Sequence, residues 1–302
     1  MKTLGIITTT YNRDYSIHQV YESLLKQKNK DFKWLVIDDG STDDTEEIIQ
    51  NYINENKIEI EYIFQENKGM TQARNLGYEN IDTEINTMID SDDWLEDDAV
   101  EKIINFWNEN KNDKVSGIIA LNERIDGEQG GKKLPEGITQ CTYTELHDKY
   151  NCTGDKKLIF RTDLSKEYPY PKFEGEKNFP ASYKFRLLDL KYEMLLMDEV
   201  VCIVDFNENG ATFQRVKQYQ KSPKSYAFYR NEMMRISNNH KFIFKQALHY
   251  ISSSKFANNK NYIKEASKKF HVIVALPLGL LFNWYIKNTK KKSLKHKVIK
   301  KQ

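Results

Sequence analysis

The chain has 302 residues, of which 39% are hydrophobic and 30% charged, and its formal net charge is +2. A chain of this length and composition can bury a substantial core, which excludes a disordered chain, a fibrous repeat and a small disulfide-stabilised protein. The three cysteines form no CxxC pair and indicate reduced thiols, with neither a disulfide framework nor a zinc site. No signal peptide and no apolar run of ~18 residues is visible, so we expect a cytoplasmic protein without a conventional transmembrane span.

The first 110 residues alternate between short apolar runs and helical patterns. Strands are predicted at 4–7, 32–37, 58–64 and 85–89, and helices at 15–28, after the capping-type segment 41–44, at 69–78 and at 95–108. This β-α alternation predicts an α/β fold with a mainly parallel, Rossmann-like sheet flanked by helices. The pattern is mixed from 117 to 209, with strands expected near 116–121, 157–160 and 199–206. After Ser222-Pro223, a typical helix start, the chain is mostly helical.

Polar segments follow three of the predicted strands, at 8–13, 38–41 and 90–93. The carboxyl ends of parallel strands meet at one edge of a sheet, where ligands bind, so we expect these segments to form one cleft. They carry an aromatic ring, several hydroxyls, an arginine and five carboxylates. So many carboxylates repel one another unless a cation lies among them, and hard divalent cations prefer oxygen ligands.

The segment Asp90-Ser91-Asp92-Asp93 is the candidate metal site. An Asp-x-Asp spacing places two carboxylates on one side of an extended segment, which suits one Mg²⁺ or Mn²⁺ shared with a diphosphate. The alternative is an acidic turn that caps the following helix, because Asp is favoured at helix starts. Neither GxGxxG after the first strand nor GxxxxGK[ST] is present, so a nucleotide-dependent dehydrogenase and a P-loop enzyme lack their main phosphate-binding device.

Three motifs, ITTTYNR, VIDDGSTDDT and the pair NKGMTQARNLG with MIDSDDW, together resemble the family 2 glycosyltransferases of the GT-A fold. The resemblance is strong over 1–125, fades over 150–205 and ends near 210. It implies an inverting hexosyltransferase of bacterial cell-surface polysaccharide synthesis that uses a UDP-sugar with Mn²⁺ or Mg²⁺. It also implies a catalytic domain over 1–210, with a nucleotide-sugar half at 1–125 and an acceptor-side half at 126–210, and a helical region at 211–302.

The resemblance assigns roles to residues by position. It implies that the nucleotide-sugar is bound by Thr9, Tyr11, Arg13, Asp39, Arg74 and Asp90. Tyr11 would pack against the uracil, Asp39 would accept a hydrogen bond from uracil N3–H, and Asp90 would lie toward the ribose. Arg74 would lie near the sugar or pyrophosphate, with a surface arginine as the alternative. Asp92 would bind the metal ion, with Asp93 beside it.

The general base is the least determined residue of this site. Inverting transfer needs a carboxylate that takes the proton of the acceptor hydroxyl, and the family carries it after the central mixed region, just before a helix. The corresponding segment here is 172–182, with Ala181 where a related subgroup carries glutamate. Glu176 is the first candidate, Glu174 the second and Asp189 the third. The alternative is that Glu176 is a loop carboxylate without a catalytic role.

The last fifth of the chain is strongly basic. Residues 241–302 contain 15 lysines and one acidic residue, Glu265. Within them, 270–286 carries no formal charge when His271 is neutral, and eight lysines follow up to Lys301. This pattern is typical of an interfacial helix on an anionic membrane. We therefore expect peripheral attachment to the inner face of the cell membrane, no nucleic-acid partner, and a glycan, lipid-linked or wall-polymer acceptor. The alternative is a buried terminal helix with a solvated lysine tail.

Two other classes of function are compatible with the sequence. A non-catalytic scaffold that binds nucleotide-sugar or membrane is kept open by Ala181. A nucleotidyltransferase also uses a metal ion and a similar sheet, but it usually carries a glycine-rich, basic N-terminal loop, and ITTTYNR is not such a loop.

Overall fold

Short runs of buried aliphatic residues build one large sheet. The computed structural model describes residues 1–205 and 215–299, without the side chains of 215–217 and 289–299. Within these residues nine strands form the sheet: β1 (Leu4–Thr10), β2 (Phe32–Asp38), β3 (Ile60–Phe64), β4 (Ile85–Met88), β5 (Trp94–Leu95), β6 (Val115–Arg124), β7 (Gln140–Cys141), β8 (Lys156–Arg161) and β9 (Glu193–Val204).

Helices alternate with the first strands and dominate the C-terminal part. Those preceding β9 in the chain are α1 (Ile17–Lys26), α2 (Thr45–Glu55), α3 (Met70–Asn80), α4 (Ala99–Asn110), α5 (Tyr143–Asp148), α6 (Thr162–Glu167) and α7 (Ser182–Leu188). Those following it are α8 (Arg215–Lys221), α9 (Pro223–Ile236), α10 (His240–Phe256), α11 (Tyr262–Glu265) and α12 (Lys269–Ile299).

The sheet is parallel in its first half and mixed in its second. Its strand order is β3-β2-β1-β4-β8-β6-β9-β5, with β7 paired to β9. Strands β1 to β4 pair in parallel, whereas β8 runs antiparallel to both of its neighbours. The α/β class and the helical C-terminal region are confirmed. The mainly parallel sheet is confirmed as well, since β9 pairs in parallel with β6. Among the described strands, β8 and the two-residue strands β5 and β7 run antiparallel to their neighbours, because an apolar run predicts a strand but not its direction.

Two packing contacts position the elements around the cleft. Helix α1 buries Val20, Tyr21 and Leu24 at helical spacing, and the Tyr21 ring stacks 6.2 Å from that of Trp34 in β2. Gly77 of α3 lies so close to β1 that an added Cβ would come within 2.6 Å of Ile7. A glycine there lets α3 approach the sheet, because any larger side chain would force the helix outward.

The chain forms two units. One holds Met1–Tyr170 together with Ala181 and the chain onward through β9, and the other holds Pro171–Pro180 with helices α8–α12. The segment Pro171–Pro180, which the sequence places inside the catalytic domain, thus packs with the helical unit. The predicted domain boundary near 210 and the predicted end of the last strand at 206 lie outside the described residues.

Candidate active site

The loops that follow β1 and β2 are tied to each other. The two strands pair in parallel up to Thr10 and Asp38, so both loops begin at the same edge. The Asn12 N–H donates to Ser41 Oγ at 2.9 Å, and Asn12 Oδ1 accepts the Thr42 N–H at 2.8 Å. Asn12 adopts a positive φ of 51°, a conformation that asparagine tolerates better than most residues. The structure therefore brings the first two predicted segments together.

The side chains of the first loop include an available aromatic ring. Tyr11 is 47% exposed, whereas Thr9 is half-buried. Arg13 donates from Nη1 to the Tyr15 hydroxyl at 2.6 Å, and its guanidinium lies 5.5 Å from the centre of that ring. A flat ligand could stack on Tyr11 without displacing any core side chain.

Asp39 is buried and organises the loop that precedes α3. Its oxygens accept the backbone N–H groups of Lys68 at 2.8 Å and of Gly69 at 2.9 Å, and the Gln65 amide at 2.6 Å. Only 4% of Asp39 is exposed. A ligand N–H would have to share these oxygens, which is chemically possible because a carboxylate offers about four lone-pair sites.

The third segment forms an acidic turn after β4. Its backbone closes with the Asp93 N–H donating to the Asp90 carbonyl at 3.0 Å. Asp90 is exposed, Asp92 is half-buried, and Asp93 is buried with Oδ1 accepting the Asp205 N–H at 3.2 Å. Burial and the neighbouring Asp90 carboxylate raise the pKa of Asp92. Burial also raises the pKa of Asp93 to about 7, against the influence of the nearby Lys157 ammonium. In both cases burial is the main cause, and the neighbouring carboxylates of the turn raise the pKa further.

Lys157 and Asp205 complete the surroundings of the acidic turn, and the sequence analysis identified neither. Lys157 is buried, and its Nζ donates to the Met88 carbonyl at 3.1 Å. Burial disfavours its charge, but the neighbouring Cys202 thiol and Asp93 outweigh burial and raise its pKa. Asp205 follows β9 and could have been found with the strand-end rule. Lys157 lies inside a strand, where nothing in the sequence distinguishes it.

Arg74 of α3 faces the same turn. Its Nη2 lies 3.5 Å from Asp90 Oδ1, and its side chain is only 18% exposed. Burial opposes its charge, but the Asp90 carboxylate keeps its pKa above the ordinary value. Among the described residues its Nε has no hydrogen-bond partner. Arg74 is therefore not a freely solvated surface arginine, and it has donors left for a further anionic group.

A family model for glycosyl transferase family 2 matches residues 5–167, more than half of the chain. The chain belongs to glycosyl transferase family 2. The match covers β1 through β8 and includes all three loops of the cleft.

Three bacterial proteins are among those similar to this family 2 chain. An uncharacterized glycosyltransferase of Haemophilus influenzae is 36% identical over 110 residues, which are 36% of this chain and 44% of that protein. The putative glycosyltransferase EpsH of Bacillus subtilis is 24% identical over 277 residues, 90% of this chain and 74% of that protein. The poly(ribitol-phosphate) beta-N-acetylglucosaminyltransferase TarS of Staphylococcus aureus is 26% identical over 176 residues, 55% of this chain and 29% of that protein. The matches thus span less than half of the Haemophilus and Staphylococcus proteins.

Solved structures share the fold. That of S. aureus TarS 1–349 in complex with UDP-GlcNAc has a TM-score of 0.61 and 19% identity, covering 92% of this chain and 80% of the other. The mannosyltransferase PcManGT from Pyrobaculum calidifontis, in complex with GDP-Man and Mn²⁺, has a TM-score of 0.53 and 15% identity, covering 92% and 86%. At these identities the likeness concerns the fold.

The three candidates for the family 2 general base differ in what their carboxylates contact. Glu176 accepts the N–H groups of Lys224 at 2.8 Å and Ser225 at 2.7 Å, in the first turn of α9. Asp189 accepts the N–H groups of Tyr143 at 3.0 Å and Thr144 at 2.8 Å, at the start of α5. Both acids thus satisfy helix N-termini, a common structural role of carboxylates.

Glu174 differs from the other two candidates. It is exposed, and in the described part of the chain its carboxylate makes no hydrogen bond or ion pair. The position after Pro180 is Ala181, which precedes the first residue of α7, and its methyl side chain cannot cap that helix by a hydrogen bond.

Proposed function

We propose that this family 2 protein is an inverting glycosyltransferase that moves a sugar from a UDP-sugar to a cell-wall or cell-surface polymer. The observation that carries the proposal is the cleft at the ends of β1, β2 and β4, where an exposed tyrosine ring, a buried carboxylate and an acidic turn follow neighbouring parallel strands. TarS, a relative with the same fold, is bound to UDP-GlcNAc in one structure and is named for transfer to a wall polymer.

The donor side of the proposal rests on three side chains. The exposed Tyr11 ring would stack on the uracil, since offset ring stacking suits two flat π-systems. The Asp39 carboxylate would accept the uracil N3–H, which distinguishes uracil from cytosine because cytosine N3 carries no hydrogen. Arg74 would direct its unused donors to sugar or pyrophosphate oxygens, which suit its planar fork.

The acidic turn fits a divalent metal ion in its chemistry. Its donors are carboxylate oxygens, the ligands that Mg²⁺ and Mn²⁺ prefer, and burial together with the neighbouring carboxylates raises the pKa of Asp92 and of Asp93, so a bound cation would stabilise their charged forms. Among the described residues, no three His, Cys, Asp or Glu side chains converge on one metal position. Asp92 would therefore hold the ion together with oxygens of the donor diphosphate, with Asp90 beside it. When bound, the ion supplies Lewis-acid stabilisation of the departing UDP.

We propose Glu174 as the general base. Its carboxylate is exposed and without a partner in the described residues, whereas Glu176 and Asp189 are each bound to a helix N-terminus. Glu174 would take the proton of the acceptor hydroxyl while that oxygen attacks the anomeric carbon and the bond to UDP breaks on the opposite side.

A non-catalytic nucleotide-sugar-binding scaffold is the second candidate function. It is favoured because two of the three candidate bases cap helices. In addition, Ala181 stands where a related subgroup carries a glutamate that could have served as the base. A scaffold would bind a UDP-sugar without releasing UDP, whereas a transferase releases UDP at least slowly by hydrolysis.

A thermal-shift screen of nucleotide-sugars with and without Mn²⁺ tests the donor. A ligand present at 100 times its Kd stabilises a folded protein by about 2.7 kcal/mol. We expect UDP-sugars with Mn²⁺ to raise the melting temperature, and GDP-sugars under the same conditions to leave it unchanged. A shift with GDP-sugars alone would contradict the uracil pocket.

Asp39→Ala is expected to weaken UDP binding by about 1–3 kcal/mol, the scale of a hydrogen bond to a charged group. The expected loss is larger for UDP than for CDP, measured by calorimetry with both nucleotides. Gln65→Ala is the matched control, because it removes one partner of Asp39 but keeps the carboxylate. Equal UDP affinity in Asp39→Ala and the wild type would refute this role of Asp39.

A further inference from the structure

In helix α12 the large apolar side chains lie on the exposed face, which is the reverse of the arrangement in an ordinary soluble helix. The residues of its inner, buried face are small or polar in the middle of the helix, at Ala275, Gly279 and Asn283. Its outer face instead exposes a continuous stripe of large apolar side chains: Phe270, Ile273, Val274, Leu278, Leu280, Leu281, Trp284 and Tyr285. A soluble amphipathic helix places such residues toward the core.

The inner face packs on α10 as helices pack within lipid. At Gly279 an added Cβ would lie 2.7 Å from Ile251 Cδ1, so the two backbones approach closely. The Asn283 amide donates to the Ser252 carbonyl at 3.2 Å and to its Oγ at 3.3 Å. Small residues at the contact and side-chain hydrogen bonds between helices are typical of packing where lipid provides the apolar surroundings.

The geometry favours a helix that lies on a membrane over one that crosses it. By length and composition alone, Lys269–Asn288 could span a bilayer. However, α12 is bound along α10, which exposes Lys241, Lys245 and Lys255. A crossing α12 would carry α10 into the hydrocarbon, where each lysine near the centre costs about 2.5–3.5 kcal/mol.

The charge next to the apolar stripe is positive throughout. No acidic residue follows Glu265, whereas Lys268 and Lys269 precede the stripe and eight lysines follow between Lys287 and Lys301. Trp284 and Tyr285 stand at the lysine-rich end, where aromatic side chains meet a membrane interface. Positive charge beside apolar side chains complements an anionic lipid surface, and it disfavours a second copy of the same basic segment.

We infer that the exposed face of α12 is a membrane-docking surface that lies parallel to an anionic cytoplasmic leaflet. Its large apolar side chains enter the headgroup and acyl boundary, and its lysines contact anionic headgroups. This inference does not depend on the proposed sugar transfer, because every residue that carries it belongs to the helical unit.

Flotation of the full chain with vesicles tests the apolar contribution. We expect binding to vesicles of phosphatidylcholine mixed with phosphatidylglycerol, and a reduction of at least about tenfold in the double variant Leu281→Ser/Trp284→Ser, since the variant loses the burial of two large apolar side chains in the membrane interface. Leu190→Ser is the matched control, because Leu190 is 56% exposed and Leu281 58%, and Leu190 lies outside the helical unit. Unchanged binding in the double variant, with an unchanged melting temperature, would overturn the inference.

A full-chain variant tests the electrostatic contribution separately. Replacing Lys290, Lys291 and Lys292 with glutamine should weaken binding to the anionic vesicles about 100-fold at low salt, because each lysine near such a surface contributes about 1 kcal/mol. The wild type should lose binding as salt rises, and it should bind phosphatidylcholine vesicles weakly. Failure of the wild type to bind anionic vesicles would overturn the inference. A dimer in sedimentation that Leu281→Ser/Trp284→Ser dissociates would show that the stripe binds a second copy of the chain instead. UDP binding should be unchanged in every variant.

Discussion

Replacing Asp92 with alanine is expected to lower turnover by about 10²–10⁴-fold. A catalytic metal ion contributes several kcal/mol of charge stabilisation in the transition state, and each 1.36 kcal/mol is a factor of ten in rate. Asp92 is the half-buried carboxylate of the acidic turn, with Asp90 close enough to raise its pKa. The measurement is UDP release from the donor sugar at saturating Mn²⁺.

A second prediction for Asp92→Ala concerns the thermal stability of the protein. Asp92 is an incompletely compensated charge, so its removal should leave the melting temperature of the metal-free protein unchanged or raise it. Adding Mn²⁺ to UDP should then give further stabilisation of the wild type but not of Asp92→Ala. Asp97→Ala is the matched control, because Asp97 is an exposed acid that lies five residues after Asp92 and outside the turn. Near wild-type turnover in Asp92→Ala would show that the metal assignment is wrong.

Glu174→Gln is expected to lower turnover by about 10²–10⁴-fold with little change in UDP affinity. Glutamine keeps the shape of the side chain but cannot take a proton, and general-base catalysis contributes this range. Because Glu174 is exposed and without a partner among the described residues, the melting temperature should not change. Steady-state kinetics and calorimetry with UDP on the same preparation separate the two effects.

Glu176→Gln is the paired experiment. Its carboxylate accepts two N–H groups at the start of α9, so the expected result is a loss of about 1 kcal/mol in unfolding free energy and a smaller fall in turnover than in Glu174→Gln. A collapse of turnover in Glu176→Gln, with an ordinary rate in Glu174→Gln, would move the general base two residues downstream.

The parallel half of the sheet and its cleft could be predicted because local signals determine them. Short apolar runs and period-3.6 patterns mark β1 to β4 and their helices, and parallel strands necessarily deliver the residues that follow them to one edge. That rule placed Tyr11, Asp39 and Asp92 at the cleft from sequence alone. It applies equally to Asp205, which lies beside Asp93 after β9.

Features that depend on tertiary partners could not be read from the sequence. The antiparallel course of β8 is decided by its neighbours β4 and β6. Nothing local indicates that Glu176 caps α9, a helix that begins almost 50 residues later. Lys184 is a further example: it is buried under the ring of Tyr78, where burial lowers its pKa to about 7.

UDP formation from a UDP-sugar, followed in the presence and absence of Mn²⁺ or Mg²⁺, tests the central claim most directly. The proposed cleft predicts that the wild type releases UDP, that the rate depends on the divalent cation, and that Asp92→Ala abolishes this dependence. UDP release at the same rate with and without the cation, and equally in Asp92→Ala, would contradict the account.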